Sequence, residues 1–255
     1  MIKLIIRADD IGYSEAVNLG IAKSVRDGLI RSAGLMPNMP YAEHGLKLLE
    51  GLDVVIGQHT NMCLGKPCAN PALIPSLLDE NGSLKSSRTY REAFKKGEDF
   101  VVVEEAVIEI EAQYERFKEL VGKEPSYFEA HAVVSENLFK ALDIVAEKYG
   151  LKQQKVRFDG QPTTFNGKPV VMLPMGSMSS EYDPFETLKK DVLEFARTDM
   201  PNVFVCHPGY IDNYLLKNSS LTLNRAKEVE MLCDPAVKLW LEEHEAELLN
   251  YDDIA

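Results

Sequence analysis

The sequence predicts an α/β protein built on parallel strands, either doubly wound or closed into a barrel. Short apolar, β-branched runs alternate with segments of helical period along the whole chain. A hydrophobic fraction of 45% over 255 residues supplies a sizeable core. No internal repeat, low-complexity tract or linker interrupts the alternation, so residues 1–255 read as one domain.

The elements follow in order. IKLIIRA (2–8) reads as a strand, and a helix near 15–28 follows it with Ser14 placed to cap its start. IRSAGLM (30–36) precedes a helix near 41–50, and DVVIGQ (53–58) is the third strand. Residues 59–100 are rich in Pro, Gly, Asn and Ser, include the turn-like DENGS at 79–83, and are too long for an ordinary connection. They read as a functional loop or a small lid. Beyond them come a helix near 101–121, a strand near SYFEA (126–130), a helix near 135–149, a strand near 169–173, a helix near 184–198 and the strand NVFVC (202–206). Two amphipathic stretches near 221–233 and 235–249 close the chain, the second with room for a short strand.

Composition excludes several functions. A net charge of −12, from 40 acids against 28 bases, argues against nucleic acid or any other polyanion as partner. No stretch approaches the roughly 20 apolar residues of a membrane span, and a first strand beginning at Ile2 leaves no room for a signal peptide, so a cytoplasmic protein is expected. The cysteines at 63, 68, 206 and 233 form no C-x-x-C pair and read as reduced, ordinary thiols; Cys63 and Cys68 lack the second pair that a zinc site needs.

The reactive side chains share one context. Asp9 and Asp10 follow the first strand, His59 follows DVVIGQ, His131 follows SYFEA and His207 follows NVFVC. In a parallel sheet all carboxyl ends open on one face, so these positions converge where ligands bind. An Asp and two His suit a divalent cation with open positions for water and substrate, and such a cation would compensate the adjacent acids. A plainer reading makes the acid pair a turn or helix cap and each histidine a hydrogen-bonded structural residue; three histidines on one predicted face weigh against it. His44 and His244 lie among polar residues of helical segments and read as solvated surface. Arg225 and Glu228, three apart on a helix, read as an exposed ion pair, and a Cys206/His207 nucleophile leaves the Asp pair unexplained.

With those residues in view, the sequence resembles the YdjC-like (ChbG-type) carbohydrate deacetylases. A-D-D-I-G-Y-S-E-A-V-N-L-G-I, from Ala8 to Ile21, is similar to the family's first signature. Gly57, His59, Asn61, Gly65 and Pro67 match G-x-H-x-N-L-T-x-G-x-P, with Met62 and Cys63 in place of Leu-Thr, and Cys206 to Asp212 reads C-H-P-G-Y-I-D against C-H-P-G-Y-x-D. Arg7 stands where the family usually has Asn. The third motif, D-S-H-x-H-x-H, reads E-A-H-A-V-V-S from Glu129 to Ser135, so only His131 survives and Val133 and Ser135 replace the later histidines.

The resemblance implies a distorted (β/α) barrel, TIM-barrel-like, and a metal-dependent hydrolase that removes an N-acetyl group from an amino sugar or short chitin-like oligosaccharide. It implies Asp10, His59 and His131 as metal ligands, Asp9 as general base, His207 as general acid and Arg225 as the holder of the Asp9 carboxylate. Mg²⁺ is the metal it implies, whereas two imidazoles favour Zn²⁺, Co²⁺ or Mn²⁺ on ligand softness. It further implies a homodimer. The altered third motif keeps open a carbohydrate-binding or regulatory protein on the same scaffold, and a metal and a base leave open hydrolysis of another bond, such as a phosphoester.

Overall fold

The computed structural model describes residues 1–156 and 162–255. In chain order the elements are β1 (Ile2–Ile11), α1 (Glu15–Arg26), β2 (Ser32–Leu35), α2 (Ala42–Leu49), β3 (Val55–Thr60), α3 (Ser87–Lys95), α4 (Val103–Val121), β4 (Phe128–Ala130), α5 (Glu136–Tyr149), β5 (Gln154–Lys155), β6 (Thr164–Phe165), β7 (Lys168–Pro169), β8 (Val171–Met172), α6 (Pro184–Glu194), β9 (Asn202–Cys206), α7 (Asn213–Asn218), α8 (Leu223–Cys233), α9 (Pro235–Glu243) and β10 (Ala246–Leu249).

The main sheet is parallel and curls into a distorted half-barrel with strand order β4-β3-β2-β1-β9-β8. β9 lines one edge of β1 from Leu4 to Ala8, so β10, paired at Ile2–Ile5, lies on the other edge below β2. Beyond β4 an antiparallel ribbon, β5-β6-β7, continues from a parallel bridge between Phe128 and Gln153.

Alternation along β1 sets the two cores. Leu4, Ile6 and Ala8 pack outward with Val17, Ile21 and Val25 of α1 and with Leu232 and Leu241. Ile5 points inward to Tyr127, Phe165, Val203, Val205 and Tyr251. A strand buried on both faces needs no polar alternation, which is why IKLIIRA reads as a continuous apolar run. Tyr251, in the terminal 3-10 turn Tyr251–Ile254, stacks on Tyr127 with ring centroids 4.1 Å apart and fills the interior beneath Arg7.

Beyond Thr60, residues 61–100 form two 3-10 turns, Pro71–Leu73 and Pro75–Leu77, and α3. Met62, Cys63, Ala69, Ile74, Leu77, Leu84 and Tyr90 bury themselves against Ile110 of α4 and Leu138, Ala141 and Leu142 of α5. The fully buried Glu109 of α4 accepts from the backbone N–H groups of Cys68 and Ala69 at 3.0 and 2.8 Å, pinning the excursion down.

Other expectations need correction. The strand near 169–173 is divided between β7, in the ribbon, and β8, in the main sheet. The helix near 184–198 stops at Glu194. His44 and His244 are half-buried rather than solvated: His44 Nδ1 lies 3.1 Å from Asn18 Nδ2, and His244 stacks on Trp240 with its Nδ1 2.7 Å from that residue's carbonyl. Among the described residues no helix is long and apolar enough to cross a membrane.

Candidate active site

The carboxyl ends of β1, β3, β4 and β9 bring Asp9, Asp10, His59, His131 and His207 to one mouth. Regular alternation would send Asp9 and Asp10 to opposite faces. It is broken by a φ of +81° at Asp10 and by a register shift against β2 between Ala8 and Ile11. Both acids therefore flank one imidazole, with Asp10 Oδ1 at 3.4 Å from His59 Nε2 and Asp9 Oδ2 at 4.0 Å from His59 Nδ1. Gly12, at φ +97°, completes the bend; its N–H donates to Asn18 Oδ1 at 2.8 Å, and a Cβ there would meet the Ala42 backbone at 3.1 Å.

Three donors face a common point. Asp10 Oδ1, His59 Nε2 and His131 Nδ1 lie 3.4, 3.2 and 2.8 Å apart pairwise. Ligands at about 2.1 Å from one ion, at tetrahedral or octahedral angles, stand about 3.0–3.4 Å from each other. Among the described residues, buried Asp10 Oδ1 has no neighbouring nitrogen but those of the two imidazoles, which are themselves metal-ligating atoms, so an anionic oxygen is left that fits a cation. The electrostatics agree. Burial pushes Asp10 up, but Arg225 and His131 outweigh it and hold the carboxyl well below its usual range. Burial pushes both imidazoles down, yet Glu129 and Asp9 raise His59 well above the ordinary value, and Asp10 and Cys63 raise His131 to about 9. The cluster draws positive charge to itself.

The two acids have separate arginine partners, which corrects the expected Arg225–Asp9 contact. Arg225 Nη2 donates to Asp10 Oδ2 at 2.7 Å. Asp9 is held by Arg7, whose Nη2 donates to Oδ2 at 2.8 Å while Nε lies 2.7 Å from Oδ1. The reason is strand geometry: residues two apart on β1 share a face, so Arg7 lies directly beneath Asp9. Part of the charge that compensates the acid pair is thus two guanidinium groups.

Arg225 and Glu228 are not an exposed ion pair either; both are buried. Glu228 accepts from the His207 N–H at 2.5 Å and from the Tyr182 hydroxyl at 3.0 Å, and burial pushes its carboxyl up to about 7. Arg225 Nη1 also donates to the His207 carbonyl at 3.3 Å. Burial, helped by Arg225, outweighs Asp10 and Asp9 and holds the His207 imidazole down at about 4, and its buried Nδ1 has no hydrogen-bond partner among the described residues. The His207 loop docks on α1: Tyr210 N–H donates to the Ala16 carbonyl at 3.0 Å, and a Cβ on Gly20 would lie 2.5 Å from Gly209 Cα. The first and last motifs are therefore one packed unit.

Cys206 is fully buried, and burial with Glu228 pushes its thiol well above its usual range, which removes it as a thiolate nucleophile. Val133 is buried in the cluster beneath residues 62–101, and the Ser135 hydroxyl caps α5 while donating to Asp99, so the replaced histidine positions carry packing and capping. Sequence reasoning missed Arg7, Glu129 and Glu228 as site residues. The signal for the first two was a charged residue inside a buried strand, which demands a partner.

The family model described as YdjC-like protein matches residues 3–243. A carbohydrate deacetylase 2 of Listeria innocua is 32% identical over 99% of this chain and 98% of its own length. A carbohydrate deacetylase of Geobacillus stearothermophilus is also 32% identical, over 97% of this chain and 96% of its own. A crystal structure from Enterococcus faecalis, described provisionally as a cellobiose-phosphate cleavage protein, superposes with a TM-score of 0.82 at 27% identity, covering 99% of this chain and 98% of that one. In sequence from end to end, and in a fold that gathers the motifs at one mouth, this chain belongs to the YdjC-like family.

Proposed function

We propose that the protein is a metal-dependent carbohydrate deacetylase that hydrolyses the N-acetyl group of an amino sugar or short chitin-like oligosaccharide. The mutual spacing of Asp10 Oδ1, His59 Nε2 and His131 Nδ1, matched to a single ion, carries this reading. The deacetylase relatives supply the bond to be cleaved. Asp10, His59 and His131 would hold the ion. A divalent cation bound there supplies Lewis acidity for the acetyl carbonyl and a lowered pKa for water. Two imidazole ligands favour Zn²⁺, Co²⁺ or Mn²⁺, and the family resemblance favours Mg²⁺.

Asp9 takes the proton of the attacking water, and Arg7 fixes the orientation of its carboxylate. The departing amine needs a proton. His207, held down at about 4, enters the cycle neutral, so the proton it gives to the sugar nitrogen would be the one Asp9 has taken from the water, passed on through the imidazole. Arg225 acts through Asp10 and is a positioning residue. Both arginines are committed to carboxylates, which leaves neither free to clamp a phosphate and favours the acetyl over the phosphoester reading. Assembly as a homodimer belongs to the same reading and is checked by light scattering.

The test combines metal analysis of the purified protein with acetate release from N-acetylglucosamine oligomers under Mg²⁺, Zn²⁺, Co²⁺ and Mn²⁺ in turn. Metal-dependent acetate release is expected. Sugar binding without acetate under every metal would favour the carbohydrate-binding or regulatory reading instead.

A further inference from the structure

The geometry points to Glu129 and Arg7 as a positioning pair, in which one guanidinium braces both the proton-accepting Asp9 and, through Glu129, the imidazole of His59. This rests on the metal-dependent reading above and adds to it the residues that aim a ligand and the base together.

Glu129 stands directly opposite His59 in the parallel register of β3 and β4. Its Oε1 makes a short contact with His59 Nδ1. A carboxylate can only accept there, so Nδ1 keeps its proton, and it is Nε2, facing Asp10 Oδ1 and His131 Nδ1, that gives up its own when a metal binds. Outer partners of this kind set the tautomer and ring angle of a metal-ligating histidine. Arg7 Nη2 reaches the other oxygen of Glu129 at 3.5 Å while holding Asp9 at 2.8 Å, so base and ligand share one anchor.

That anchor has little freedom. Arg7 is buried, its Nη1 donates to the Tyr251 hydroxyl at 3.1 Å and to Gln154 Oε1 at 3.4 Å, and its guanidinium lies 5.5 Å from the Tyr127 ring centroid. Asp9, His59 and Glu129 have donor atoms close enough to form a second cation group by themselves. The Arg7 guanidinium already supplies the positive charge of that group, which leaves the Asp10, His59 and His131 side of the same imidazole for the ion.

Zn²⁺ titration calorimetry of the whole protein tests the pair without relying on turnover. Glu129→Gln is expected to weaken zinc binding about 10- to 100-fold. In the zinc-loaded protein it should also abolish the far-downfield proton resonance of His59 Nδ1, a signature that a merely structural change would leave in place. If the Gln variant does not fold, Glu129→Asp, which keeps a charge for Arg7 but is one methylene short of His59, should show the same losses in smaller measure. Wild-type zinc affinity together with an unchanged His59 resonance in the folded variants would overturn the positioning role alone. No zinc binding by the wild-type protein would overturn the metal reading with it.

Discussion

Replacing Glu228 with Gln should make the metal-free protein more stable in mildly alkaline buffer and leave it no more stable in acid. Glu228 is fully buried, and its carboxyl is pushed from an ordinary 4.5 up to about 7, burial outweighing the His207 N–H, the Tyr182 hydroxyl and the Arg225 charge. The folded protein therefore holds this proton more tightly than the unfolded chain does. Its contribution is fully present below about pH 4.5 and is lost as pH rises through about 7. The difference between the two values corresponds to roughly 3 kcal/mol. Gln cannot ionise, still offers an oxygen to the His207 N–H, and can donate to the Tyr182 oxygen. Gln in place of the neutral carboxyl costs about 1 kcal/mol in altered hydrogen bonding at either pH, which leaves a net gain of roughly 2 kcal/mol at pH 8 and about none at pH 5. Urea unfolding of wild type and variant at both pH values, with chelator present, reads this directly. A stability difference that is the same at pH 5 and pH 8 would refute the reasoning, because Glu228 would then titrate as an ordinary carboxylate.

Three further outcomes are expected. Asp9→Asn should retain the metal by elemental analysis while acetate release falls about 10²- to 10⁴-fold, the usual worth of an acid–base group; near-normal turnover would remove Asp9 from the mechanism. Arg225→Met leaves Asp10 buried without its guanidinium, a loss of about 3–5 kcal/mol for a broken buried pair, and added Zn²⁺ should recover much of it by supplying the missing charge, as read by thermal unfolding with and without metal. With His131 raised to about 9 and His59 also raised, metal must displace protons at neutral pH, so affinity should climb as pH rises toward about 9. Calorimetry in two buffers of different ionisation enthalpy counts the protons released, and a count of zero would contradict the protonated metal-free cluster.

How much of this was legible beforehand depends on the range of the interaction. The strand–helix alternation through β1, α1, β2, α2 and β3 is written in local periodicity and was readable, as was the convergence of His59, His131 and His207 on one face, because parallel strands share their carboxyl ends. The ribbon β5-β6-β7 was not, since two-residue strands carry no period. Arg7 and Glu129 are 122 positions apart, and Arg225 and Asp10 are 215 apart. The Arg7–Asp9 pair follows from strand alternation, but that Asp10 turns to Arg225 depends on the φ of +81° at Asp10, which no local pattern announces. The burial of Glu228 was hidden for a related reason: Arg225 three residues away made an exposed helical pair the simpler reading, until the loop carrying His207 came to rest over that face.

The central claim is that one cation sits where β1, β3 and β4 end. Diffraction from zinc-loaded crystals, using the anomalous signal at the zinc edge, tests it most directly. A single peak per chain within bonding distance of Asp10 Oδ1, His59 Nε2 and His131 Nδ1 is predicted. A peak between Asp9 and Glu129 with Arg7 displaced, or no peak at this mouth in protein that consumes acetylated sugar, would contradict it.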